Sequence, residues 1–242
     1  MPAKTHGKDA GGRWQRIFPA AKRGDYLALQ LDLERVAPAI YFLTPGLTNA
    51  ITTEAHLNSV IFESLTAGLA KALSSRRLAA VRDEVFERMG QRQAQLDRRM
   101  AARQVDVRVL FLQGELARDL RRAPDQSVPR YQLLLELAQQ GVVSFRLISK
   151  LDAATLEAAG GSFALIFNQN RGRALADIAL ARAAQATSPR LGERQLVAQN
   201  TPEALARAAL FERYWNAALD EPRSRELVAA AVARAGSRRQ RR

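Results

Sequence analysis

VDVRVLFL (105–112) and VVSFRLIS (142–149) are separated by RYQLLLELAQQ (130–140) and Gly141, and this passage decides the fold. The first octet alternates apolar and polar residues before turning wholly apolar, which is the pattern of a strand buried on at least one face. RYQLLLELAQQ has apolar residues at helical spacing, and Gly141 supplies the left-handed residue that commonly ends a helix. Strand, helix, glycine and strand at this spacing make a βαβ unit. Its two strands are therefore predicted to be parallel, with a right-handed crossover. Gln113-Gly114 is read as the end of the first strand, and Pro124 to Pro129 as the ends of a loop.

Working outward, AIYFLT (39–44) is a dense run of β-formers stopped by Pro45-Gly46, and it predicts another buried strand. LALQLDLERV (27–36) is apolar-rich but fits helix or strand equally. From Thr53 to about Arg103 there is no proline, and Leu57, Ile61, Leu65, Leu69 and Leu73 recur at i+4, with Val81, Val85, Met89, Leu96 and Met100 beyond. That is one apolar stripe at helical period. A single helix of this length would measure about 75 Å, so breaks at Gly68 or Ser74-Ser75 are expected, or else projection of 78–103 to pair with a second chain. On the C-terminal side, DAATLEAA (152–159) reads as a short helix or turn and SFALIFNQN (162–170) as a strand. ALADIALAR (174–182) is ambiguous, and RQLVAQN (194–200) is a short strand. Thr201 and Pro202 open a helix as N-cap and first residue. Its buried face is assigned to Leu205, Ala209, Phe211, Tyr214 and Trp215, and a last helix runs from Glu221 to Ala235.

The chain has 242 residues and a net charge of +13, with 47% apolar residues. That is long enough for a real core and too apolar for a wholly disordered chain. Cysteine is absent, which excludes disulfides, thiolate metal sites and cysteine nucleophiles, and His6 and His56 are the two histidines. No apolar run approaches the roughly 20 residues of a membrane span, and the first residues lack the apolar core of a secretory signal. The expectation is a cytoplasmic protein with no cofactor and no bound metal. Residues 1–24 carry +5 and 238–242 carry +4, which leaves +4 for the body. The segment 76–103, with eight arginines against four acids, matches that remainder. The division expected is a basic flexible arm over 1–24, an α/β domain over 25–220 with a helical insertion at 53–103, and a C-terminal helix with a basic disordered tail over 221–242.

Mobile basic arms bind phosphate backbones by counterion release, with little sequence information. Anion- or nucleic-acid-binding candidates are Arg88, Arg92 and Arg99 on the long helix and Arg238, Arg239, Arg241 and Arg242 at the end. Asn168, Asn170, Arg171 and Arg173 join them in the cluster NQNRGR after a strand, where open α/β sheets face their ligand crevice. Each has a plain counterpart: a solvated helix face, a solubilising tail, an exposed hairpin turn. His56, near Glu54, is a candidate general base or a packing residue. Tyr214 and Trp215 either stack a base or fill the core. Asp106, Asp152 and Asp177 are carboxylates that a metal-dependent phosphodiesterase or nuclease could use.

The order AIYFLT, long helical region, VDVRVLFL, LLLELAQQGV, SFRLIS and SFALIFNQNRGRAL, closing on Asn200, Pro202, Ala206, Phe211 and Trp215, resembles the phospholipase D-like superfamily over residues 36–219. The resemblance implies a single sheet flanked by helices. Active members carry H-x-K followed four residues later by Asp, the His forming a phosphohistidine and the Lys binding phosphate oxygens. Here Ser162, Phe163 and Ala164, then Gln169, stand in that place. A hydroxyl without a nearby base is a poor nucleophile, so the resemblance implies a degenerate, non-catalytic binding or regulatory module with no catalytic residues. Its expected partners are nucleic acid bound non-specifically through the arms and a second copy through 53–103. The alternatives are the carboxylate enzyme above and a structural adaptor docking a protein through the long helix.

Overall fold

The computed structural model describes residues 34–48, 50–53, 56, 75–149, 163–167, 176–181, 195–197 and 202–240. It is an α/β fold built on one mixed sheet flanked by helices. The strands are β1 (Ala39–Thr44), β2 (Asp106–Leu112), β3 (Val143–Ile148), β4 (Phe163–Phe167), β5 (Ala176–Ala181) and β6 (Gln195–Val197), in spatial order β3-β2-β1-β4-β5-β6. β1, β2 and β3 are parallel, with Tyr41 opposite Arg108 and Arg108 opposite Ser144. β4, β5 and β6 continue the sheet antiparallel from β1. The ambiguous stretch 174–182 thus contains a strand, because β4 offers an edge on which alternating small apolar residues can pair.

The strand alternation sorts side chains onto two faces. Ile40, Phe42, Val107, Val109, Phe111, Phe145 and Leu147 enter the larger core. Helices α1 (Ser75–Ala101), α2 (Gln113–Arg122), α3 (Pro124–Gln139) and, after α4 (Pro202–Ala217), α5 (Glu221–Gln240) surround the sheet. Leu96 and Met100 of α1, Leu116 and Leu120 of α2, Tyr131 and Leu134 of α3, and Val228 and Val232 of α5 fill the larger core. The other face carries Leu43, Leu110, Ile148, Phe163 and Leu165 against Leu210, Phe211 and Trp215 of α4. Buried Leu96 and Met100 place the C-terminal part of α1 on the domain itself. The expected breaks at Gly68 and Ser74-Ser75 and the stripe from Leu57 to Leu73 lie at or beyond the edge of the described residues.

One boundary agrees with the sequence expectation, and two readings differ from it. β2 ends at Leu112, just before Gln113-Gly114 as expected, and Gln113 begins α2 directly, since Leu116 and Leu120 at i,i+4 give it a buried stripe. The Pro124–Pro129 stretch is not a loop but the first turns of α3. Pro124 sits at the N-terminal end, where its missing N–H is no loss, and Pro129 forgoes one hydrogen bond inside the helix. On α4 the buried face is Arg207, Leu210, Phe211 and Trp215, while Leu205 is 45% exposed and Ala209 also faces solvent. The aromatic pair Phe211 and Trp215 fixes the phase of that helix, and Leu205 lies out of that phase.

α3 ends as the glycine predicts. Gly141 has φ 69°, its N–H donates to the Ala138 carbonyl, and the Val142 N–H donates to Leu137. α1 closes with the same pair of bonds, but its left-handed residue is Arg103, at φ 53°. The edge strand β3 is completed by the α4–α5 junction. The Leu219 N–H donates to the Leu147 carbonyl at 3.0 Å, and the Leu147 N–H donates to the hydroxyl of fully buried Ser224 at 3.0 Å. Ser224→Ala is expected to cost about 1–3 kcal/mol, because it orphans a buried backbone donor. Urea unfolding compared with the wild type measures it.

Candidate functional site

Arginine is the residue type that gathers where the structure could bind an anion, and its copies divide into those engaged within the fold and those turned outward. Arg92 donates from Nε and Nη2 to the carboxylate of buried Glu34 at 2.6 and 2.7 Å. Burial opposes its charge, but Glu34 more than compensates and holds the guanidinium above its usual range. Arg99 donates to the backbone carbonyls of Glu34, of Ala37 at 2.6 Å and of Gln104 at 2.9 Å. These two side chains bind residues 34–37 to α1, rather than forming a solvated basic stripe. Arg88 lies on the same helix. Asn168, Asn170, Arg171 and Arg173 lie outside the described residues, as do Arg241 and Arg242.

Arg238 and Arg239 lie on α5, which continues five residues beyond the Ala235 end expected from sequence. The helix is anchored by Ser224, Val228 and Val232, and its packing against the core ends at Ala235. From Leu227 to Arg242 there are five arginines and no carboxylate. Arg234 is exposed and shares a helix face with Arg238 at i,i+4.

A second group lies on the opposite sheet face, under α4. The Arg108 guanidinium lies 4.6 Å from the Tyr41 ring centre and 5.6 Å from that of Trp215, and the Arg146 guanidinium stacks on Trp215 at 4.8 Å. Phe211 stacks between Tyr41 and Trp215, at 5.0 and 5.6 Å. Asp106 accepts from the Tyr41 hydroxyl and from Arg108 Nε, both at 3.1 Å. Burial, then Asp106, push the Tyr41 phenol up to about 12. Arg146 Nη1 donates to the Trp215 carbonyl at 2.9 Å, and its buried Nε has no partner among the described residues. Trp215 is 6% exposed, so it packs as core and presents no open face to a base; Tyr214 packs beside it. Sequence reasoning missed Arg108 and Arg146 as a pair. The signal for them is two arginines on neighbouring strands, each in the phase opposite the main core.

His56 meets α3 rather than a second catalytic group. Gln126 hydrogen-bonds its ring, Arg130 lies close, and Nδ1 has no partner among the described residues. Burial first, and Arg130 second, lower its pKa to about 4. Because the folded value lies below the unfolded 6.5, stability is full near pH 7 and is lost as pH falls toward 4. His56→Gln is expected to flatten that part of the stability–pH curve, as thermal melts between about pH 7 and 4 would show. Asp106 is engaged as described above. Asp177 lies on β5, Asp152 lies outside the described residues, and among the described residues no three acidic or histidine side chains could hold a metal.

Fold and side chains together define a mixed-sheet α/β domain with two arginine groups on opposite faces. No known protein family, curated protein or solved structure matches the chain. No helix among the described residues is long and apolar enough to cross a membrane.

Proposed function

We propose that this chain is a non-catalytic binding module that contacts nucleic acid through the arginine-bearing end of α5 and the basic flanks. The observation that carries the reading is the run from Leu227 to Arg242, five arginines without an acid, of which Arg234, Arg238 and Arg239 stand on a helix anchored to the core. Arginines at the end of a rigid helix meet a phosphate backbone without the entropy cost of ordering a free tail. In this reading the chain keeps the sheet of a phospholipase D-like domain without its phosphohistidine chemistry. Its support is that Phe163 and Ala164, where the nucleophile motif would stand, are buried apolar side chains of β4.

The test is fluorescence anisotropy of the full chain with labelled duplex DNA and single-stranded RNA over a salt series. Replacing Arg234, Arg238 and Arg239 with Gln should weaken binding about tenfold or more. It should also flatten the salt dependence by roughly one unit of slope for each phosphate that is no longer neutralised. Unchanged affinity and slope in a folded triple variant would overturn the reading, as would Mg²⁺- or Mn²⁺-dependent cleavage of the probes.

A further inference from the structure

We propose that Arg108 and Arg146 form a seat for a tetrahedral oxyanion, a phosphate or phosphomonoester, on the sheet face opposite α5. Both side chains hold donors that the fold does not use. A guanidinium has five N–H groups. Arg146 uses Nη1 on the Trp215 carbonyl, while its buried Nε has no partner and no carboxylate pairs with it among the described residues. Leaving a buried donor unsatisfied costs free energy, and such groups call for an explanation. Arg108 uses Nε on Asp106, which leaves its outer N–H groups, and its side chain is 32% exposed.

Both guanidinium groups are held by one indole ring, and Tyr41 braces Arg108 from the next strand. That stacking fixes the two forks before any ligand arrives, which lowers the entropy cost of binding. Ser144 lies opposite Arg108 in the β2–β3 register and two residues before Arg146, on the same face of the sheet. Two carboxylates oppose an anion here, Asp106 and, within electrostatic reach of Tyr41, Glu212. Both bear on the Tyr41–Arg108 side, and the Arg146 end is positive. Forked guanidinium groups match the oxygens of a tetrahedral oxyanion better than a point-charge ammonium does.

The test uses the full chain with Trp14→Phe, so that Trp215 is the one remaining indole. Inorganic phosphate should change Trp215 fluorescence saturably, while chloride at matched ionic strength should not. A simple phosphomonoester in a second titration separates the sources: tighter binding assigns an organic phosphate, equal or weaker binding the free ion. Arg146→Gln should raise Kd at least about tenfold. Arg146→Lys, which keeps the charge and removes the fork, should also weaken binding, and Arg108→Gln covers the case in which Arg146→Gln fails to fold. No saturable response to either phosphate compound, or unchanged Kd in a folded Arg146 or Arg108 variant, overturns the proposal. Duplex affinity should be unaffected in Arg146→Gln, so this site and the α5 interface stand or fall separately.

Discussion

Arg130→Met is expected to lower the stability of the domain by about 3 kcal/mol, the net of orphaned carbonyls and a relieved buried charge. Arg130 is 5% exposed and donates to three backbone carbonyls of the segment after β1: Leu47 at 3.0 Å, Thr48 at 3.1 Å and Ile51 at 3.2 Å. Those carbonyls belong to an irregular segment; Thr48 also accepts from the Ile51 N–H at 3.1 Å, so the guanidinium stands in for a sheet ladder chiefly at Leu47 and Ile51. Burial pulls its pKa down, which records the cost of holding the charge there, while Tyr131 and Asp119 pull the other way. Methionine fills a similar volume but donates nothing. Each buried carbonyl left without a donor costs about 1–3 kcal/mol, and removal of the desolvated charge returns part of the sum. Lysine keeps the charge, but its single ammonium does not reproduce a fork across three acceptors, so Arg130→Lys should recover less than half of the loss. Guanidinium chloride unfolding of the three proteins decides it, and a Met variant within about 0.5 kcal/mol of wild type, the usual range of a neutral surface change, would refute the anchoring role.

The contrast between Arg130 and Gly141 shows where sequence stops being informative. Gly141 acts on its own helix end, so its role can be read within one turn. The same locality makes AIYFLT, VDVRVLFL, VSFRLI and FALIF readable as strands, because apolar runs between turn signals depend on neighbours in the chain. Arg130 acts on carbonyls 79 to 83 residues away, and no spacing rule connects them. Pro124 and Pro129 mislead for a related reason: proline discourages helix locally, but packing of Tyr131 and Leu134 against the sheet decides the matter. Composition favours Leu205 on the buried face of α4, whereas the phase of that helix is set by Phe211 and Trp215 against Tyr41 and Arg146. The site residues follow the same division. A run of arginines without acids at the end of the chain is visible in the sequence, but which arginines of α1 bind the domain internally depends on where Glu34 folds back.

Glu34→Gln should prove the most damaging single charge change around α1, at about 3–5 kcal/mol, because it leaves Arg92 as a buried cation without its carboxylate. The pair joins residues 58 apart in sequence through two short bonds, with side chains 3% and 10% exposed. Arg92→Met should also destabilise, because it removes both hydrogen bonds to the buried carboxylate. The double variant Glu34→Leu with Arg92→Met should be much less impaired than either single change, since apolar groups of similar volume often replace a buried pair at little cost. That non-additivity separates a true ion pair from two residues that merely pack, for which the effects would sum. Arg99 provides a built-in comparison: its bonds go to the carbonyls of Glu34 and Ala37, and they survive when the Glu34 side chain changes. Limited proteolysis should therefore show residues 34–37 still protected in Glu34→Gln and released in Arg99→Ala. If Glu34→Gln matched wild type in urea, the pair would be a surface-like contact of small effect, and Arg99 would be the stronger tie of this segment to α1.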